Sequence, residues 1–292
     1  VDTQEKLLDR IAPLIPVQTR RDSAGALQVY SNGGEMLVGR TAAVLEFQPV
    51  PAIEATMLRG ASILSGLRID GRDVPVAGDA TPLAGGKIDA LFTVRDEWGP
   101  EAQANLDAVA RDLAERFDRT GIDPTVAPTQ AGLFTDSGAR TDPAAELGLA
   151  ARLEVNAAVR PEDGGAVWRL RDGIGAATEG TKGDASLLAA QIDSLAARRV
   201  TASGASSASA RSMADLVSEH LSRAGTARQA AETREVTASS VHAALENQEL
   251  ARGVDTDAEM QNLLRIEQMY AANARVIQTV ESMLDELMRI AR

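Results

Sequence analysis

A mainly α chain with an inserted small antiparallel β domain is predicted by three observations. Apolar residues recur at three- and four-residue intervals in several long stretches of the 292-residue sequence, most regularly from Leu263 to Leu287. Between Val17 and Gly86 that period gives way to short β-prone runs separated by three turn clusters. Aromatic residues make up only 3% of the chain, which suits closely packed helices better than one large core. Together these predict an elongated helical rod domain built from discontinuous segments, a β domain set into it, and a terminal coiled-coil helix.

The elements follow in order. Residues 1–16 read as a helix of the rod domain, with Leu7, Leu8, Ile11, Leu14 and Ile15 on one face and Pro16 at its end. It starts without a clear cap and the chain opens on Val1, so a preceding helical segment is expected. Residues 17–86 form the small antiparallel domain. Its turns are Asp22 to Gly25, Asn32-Gly33-Gly34, and Asp70-Gly71, the last a two-residue hairpin turn that needs positive φ. Residues 87–120 return to helix, where Pro100 either kinks one long helix or opens a second. Residues 121–183, rich in Gly, Pro, Thr and Asp with one apolar patch around "LGLAARLEVNAAV", read as a long ordered loop with one short strand. Residues 184–252 read as two further rod helices, the first capped by Asp184 or Ser186, joined through a linker at Ala202 to Ala210. The second carries an alanine-rich seam from Met213 to Leu245, the kind that lets helix axes approach closely. Residues 254–292 form the terminal assembly helix, restarted by a capping box at Thr256 to Glu259 after Gly253. It is about 35 residues and about 50 Å long.

That last helix holds the candidate site residues: the assembly seam Leu263, Ile266, Tyr270, Asn273, Ile277, Val280, Leu284 and Leu287. A heptad seam is the contact surface of a helix that lies along another helix. Asn273 in the middle either fixes register and partner choice at some cost in stability, or faces a solvated groove.

Charge and composition exclude several classes. A formal charge of -12 argues against nucleic acid and against an anionic membrane surface. With no cysteine there is no disulfide, thiolate nucleophile or Cys-bound zinc. No apolar run is long enough to span a membrane. His220 and His242 sit about six turns apart on one predicted helix, too far to share a metal, and read as seam and surface. Gly85-Gly86-Lys87 opens a helix and is read as a tight turn in preference to an anion site. The 42 acidic residues read as solvated helix faces, and Trp98 and Trp168 as packing anchors. No catalytic, cofactor or metal constellation is visible, so the expectation is a protein that is not an enzyme. An enzyme would need a concave pocket with converging titratable groups.

The segment from Gly253 to Ile290 resembles the C-terminal segment of bacterial flagellar axial proteins. The resemblance rests on Gly253-Val254-Asp255, Glu259, Leu263-Leu264, Gln268 and Tyr270-x-x-Asn273-Ala274-x-Val276-Ile277-x-Thr279. Ile266 and Glu267 stand where those proteins often carry an aromatic residue and a glutamine. Gly85-Gly86-Lys87, Leu91, Arg95-Asp96, Pro100 and Leu106 are similar to an internal segment of the hook-associated protein 1 family, whose members sit at the hook–filament junction. That resemblance implies a structural, self-assembling subunit of the flagellum, extracellular and secreted without a cleaved signal peptide. It further implies a ring of copies, contacts with hook protein and a neighbouring hook-associated protein, and an export chaperone that holds the C-terminal segment. The Tyr-x-x-Asn-Ala pattern favours the register role for Asn273. The alternatives are another axial protein, either a hook component or the third hook-associated protein, and a cytoplasmic coiled-coil adaptor.

Overall fold

The computed structural model describes residues 2–57, 64–76, 81–118, 121–205, 208–252, 260–261, 263–275 and 278–279. Helix is the main element, with three small antiparallel sheets beside it. The chain forms two compact units, residues 1–222 and 223–292.

The first unit opens with α1 (Asp2–Ile11). It stops at Ile11, earlier than the expected end at Pro16. Pro13 has no N–H to continue the helical ladder; Ala12 still reaches back to the Leu8 carbonyl, and Leu14 and Ile15 both turn onto the Ile11 carbonyl. The apolar residues then divide: Ile15 is buried, while Leu7, Ile11 and Leu14 stay exposed.

Strands β1 (Val17–Arg21), β2 (Leu27–Ser31) and β3 (Met36–Val38) make one meander. β4 (Leu45–Glu46), β5 (Leu67–Ile69) and β6 (Arg72–Val74) make another. All three turn clusters behave as their residues dictate. Asp22 Oδ1 accepts from the amides of Ala24 and Ala26 at 2.9 and 2.8 Å, closing the first hairpin with an Asx turn. Gly33 donates to the Pro82 carbonyl at 3.2 Å. A Cβ on Gly33 would lie 2.5 Å from Pro82 Cα, so only glycine admits that approach. Asp70 and Gly71 have φ of 50° and 74°, the primed turn that pairs Ile69 with Arg72. Both meanders share one core of Leu37, Leu67, Ile69, Val74, Val76 and Leu83, which Ile15 completes from the turn after α1 and Phe92 from the helix that follows.

Phe92 belongs to α2 (Gly86–Thr93). A π turn at Val94–Trp98 leads straight into α3 (Gly99–Asp118), with Pro100 in the first turn of α3. Gly99 donates to the Val94 carbonyl, an i→i+5 bond, and the widened turn relieves the clash the proline ring makes with the preceding turn.

Residues 121–183 hold more structure than a loop with one strand. β7 (Phe134–Asp136) pairs antiparallel with β8 (Leu153–Val155), which follows directly on α4 (Leu149–Arg152). α5 (Arg169–Asp172) lies further on. α6 (Ser186–Ala196) is capped from Asp184, whose Oδ1 accepts from the Ser186 amide at 3.0 Å.

The run read as a linker is fastened to α3. Residues Arg199 and Arg211 close it with two backbone hydrogen bonds of 2.9 and 2.8 Å, and the Ala205 amide donates to Asn105 Oδ1 at 2.9 Å. α7 (Met213–Arg252) then runs 40 residues, across the boundary between the two units. A capping pair starts it: the Asp215 amide donates to Ser212 Oγ and the Ser212 amide donates to Asp215 Oδ2, each at 3.2 Å. Those bonds hold the Asp215 carboxyl below its ordinary value. A lowered native pKa means stability that is present above the ordinary aspartate range and lost as pH falls through the native value. Replacing Ser212 with alanine is therefore expected to return the Asp215 pKa upward, read by an NMR titration of its side-chain carbon. The first turn of α7 should then fray at higher pH than in the unaltered chain.

Candidate assembly surface

Several charged groups of α3 are committed to holding the structure together. Asp107, Asp112, Glu115 and Arg116 all lie on the buried side of α3, which corrects the expectation that the carboxylates line solvated faces. Arg116 is fully buried. Its Nε donates to Asp112 Oδ2 at 2.6 Å, and Nη1 donates to the Ser194 and Ala197 carbonyls at 2.7 and 2.6 Å. Nη2 donates to the Arg211 carbonyl at 3.0 Å. One guanidinium thus caps the C-terminal end of α6 and ties the start of α7 to α3. Ser194 Oγ returns the favour, donating to the Arg116 carbonyl at 2.7 Å.

Asp107 does the corresponding work at a helix N-terminus. Its carboxylate accepts from the amides of Gly148 and Ala150 at 2.7 and 2.8 Å, where α4 begins, and from Gln103 Nε2 at 2.9 Å. Arg111 joins Glu115 at 2.9 Å and Glu146 at 2.6 Å, and those bonds hold its guanidinium above the ordinary value. The cleft beside it, about 80 Å³, is also lined by Arg140, which is paired with Asp118 at 2.7 Å. The half-buried Asp172 is held down to about 2 by the Arg171 guanidinium and then by the Gly180 amide. These groups are acceptors and donors with fixed partners, suited to fastening segments together rather than moving protons.

The other sequence candidates resolve similarly. Gly85 and Gly86 have φ of 86° and 75°, and the Gly85 amide donates to Asp89 Oδ2 at 2.8 Å. The Lys87 and Ile88 amides donate to the Pro13 and Leu14 carbonyls. The amides an anion would use are therefore spent, and the tight-turn reading stands. His220 is half-buried on α7, whereas His242 is exposed and 3.9 Å from Glu246. Among the described residues no group of His, Asp and Glu is arranged to hold a metal ion. Trp168 is half-buried under the Arg169 guanidinium. Trp98 is 53% exposed, so it is not the internal packing anchor its sequence position implies.

The seam has a different character. Residues 263–275 are helical, and Leu263, Ile266 and Tyr270 stand exposed by 61, 56 and 77%. Asn273 is exposed on the same helix. Ile277, Val280, Leu284 and Leu287 lie outside the described residues, as does the capping box at Thr256 to Glu259. Leu264 and Met269 widen the exposed apolar band beyond the strict heptad positions, and α7 adds Val236, Val241 and Leu245. So many large aliphatic side chains left in water on successive helical turns mark a contact surface.

Among the described residues no helix is long and apolar enough to cross a membrane. A helix with apolar residues exposed at heptad spacing accompanies, in the same chain, a helical unit fastened by ion pairs and small β meanders. Residues 251–290 match the family described as flagellar basal body rod FlgEFG protein C-terminal, and residues 1–123 match the flagellar hook-associated protein FlgK helical domain. Both are domains of flagellar structural proteins, and together the two matches support a FlgK-like hook-associated protein. No curated protein matches the chain, and no solved structure does.

Proposed function

We propose that this flagellar structural protein is the self-assembling subunit that joins hook to filament, and that its terminal helix is the assembly element. The observation that carries the reading is the open heptad seam at Leu263, Ile266 and Tyr270, in the segment matched by the axial-protein family. In this reading the whole seam from Leu263 to Leu287 pairs with helices of neighbouring copies, within a rod domain made from the discontinuous helical segments. The hook and a neighbouring hook-associated protein bound the ring on its two sides. The subunit leaves the cell through the flagellar secretion channel without a cleaved signal peptide, its C-terminal segment held by a chaperone until export. A seam whose apolar residues stand open until copies meet fits such a route, because association then adds to its stability.

Deleting Asp257 to Arg292 is expected to abolish hook–filament junctions in a strain that carries no other copy, as seen by electron microscopy of isolated flagella. Normal junctions in that strain would falsify the reading. Asn273→Leu is expected to tighten helix pairing while admitting wrong registers, visible as misassembled junctions at normal subunit levels. If assembly fidelity is unchanged, Asn273 has no register role.

The C-terminal match to a rod-protein family also fits another axial position, in the hook or as the third hook-associated protein. The N-terminal match favours the first assignment. Immunogold labelling along isolated flagella separates them: a single band at the hook tip supports the junction, and label along the hook supports the alternative.

A further inference from the structure

The unit formed by residues 1–222 carries two exposed apolar surfaces away from the terminal seam, with opposite charge at their margins. The first runs along α2, the π turn and α3. Leu91, Val94, Trp98 and Leu106 recur at helical spacing and are each about half exposed. Beside them lies a groove of about 320 Å³ that Ile53 and Met57 complete from the preceding loop. Its margin is acidic: Glu54, Glu97 and Glu101 are exposed and form no ion pair among the described residues. Arg95 lines the same groove, but its guanidinium is held by Asp96 and by the Ser65 carbonyl. The second surface is the face of α1 and the turn after it, where Leu7, Ile11 and Leu14 are exposed by 51, 37 and 44%. Lys6 and Arg10, four residues apart, flank that face, while Glu5 and Asp9 project from the other side of the helix.

We infer that the acid-rimmed stripe around Trp98 of one copy receives the Lys6- and Arg10-flanked face of α1 of a second copy. Each surface has the apolar centre and charged rim of a protein interface, and an exposed tryptophan is a residue type that carries binding energy. Like with like is opposed, because either surface turned on itself sets its rim charges against each other. In a chain of formal charge -12 that repulsion adds to the general one. The contact is therefore heterologous, each copy using one surface forward and the other back, and such contacts generate rings or helical rows rather than closed dimers. It deepens the proposed assembly function and rests on it for the setting, but the contact itself is independent of the terminal seam.

The chain has no cysteine, which gives a clean background for crosslinking the full-length protein. Thr3 and Ala102 are exposed at the two surfaces. With Thr3→Cys and Ala102→Cys in one chain, a short bismaleimide is expected to give a ladder of dimers, trimers and higher species. Reversing the acidic rim (Glu97→Lys with Glu101→Lys) or the basic flank (Lys6→Glu with Arg10→Glu) should each cut the ladder about tenfold, and both reversals together should restore it. Circular dichroism checks that the variants keep their helix. Mixing a basic-flank-reversed chain bearing Ala102→Cys with an acidic-rim-reversed chain bearing Thr3→Cys is expected to give a crosslinked heterodimer and no ladder, since the unaltered acidic rim of the first still receives the unaltered basic flank of the second and each chain carries a single cysteine. The inference is overturned if either single-cysteine chain crosslinks as well as the double, or if charge reversal leaves the ladder unchanged. Normal hook–filament junctions from copies that form no ladder would overturn this contact and keep the junction reading. A charge-dependent ladder from a protein absent from flagella would do the reverse.

Discussion

Arg116→Met is expected to destabilise the first unit by about 3–5 kcal/mol, the cost of removing one partner from a buried ion pair. Methionine has similar volume, so the loss is electrostatic rather than a cavity. Asp112 would be left with Arg199, whose Nε is 3.4 Å away, and the carbonyls of Ser194, Ala197 and Arg211 would lose their donor. Arg116→Lys should recover part of the loss, because a single ammonium cannot reach all of these acceptors in the guanidinium's plane. Guanidinium chloride titration reads the difference. Amide hydrogen exchange should locate it at the C-terminal turn of α6 and the start of α7. A midpoint within error of the unaltered chain would show that Arg116 contributes nothing net.

Asp107→Ala is expected to cost about 2–3 kcal/mol, since two buried amides and the Gln103 side chain lose a charged acceptor together. The asparagine variant is the informative control. Its one carbonyl oxygen can serve Ala150 and Gln103, but its amide group would face the Gly148 amide, donor against donor. The expected order is therefore unaltered chain, then Asn, then Ala, read by thermal unfolding. If Asn matches the unaltered chain, the Gly148 contact adds no stability.

Much of the β domain was legible because its information is local. Asp70-Gly71 takes positive φ at both residues, and few other residue pairs do so readily, so the hairpin follows from two letters. Asp22 likewise carries its own turn in its side chain. The interior of α3 was not legible. Asp107, Asp112, Glu115 and Arg116 read as a solvated face because charged residues seldom bury alone. Their partners come from Gly148, Ser194, Arg199 and Arg211, segments that no periodicity links to α3. Fastening of the run from Ala202 to Ala210 was hidden for the same reason, since small residues read as a linker until Asn105 is seen to hold Ala205. Strand β8 lies inside the apolar patch of a segment read as a loop with one strand of no fixed position. Its partner Phe134–Asp136 is three residues long and set among turn formers, too short to show a period. Of the assembly seam, the helical spacing through Asn273 was readable, since it lies in one continuous stretch. What it pairs with is not encoded in that stretch.

The buried charges of α3 also bear on how stability responds to temperature. Apolar surface exposed on unfolding raises the heat capacity, whereas polar surface lowers it. A unit that buries a guanidinium and three carboxylates beside alanines therefore has a smaller heat-capacity increment than an oily core of equal size. Its stability curve is correspondingly flatter, and the β meanders that share Leu67, Ile69 and Val76 lie in the same compact unit and partake of that flatter response.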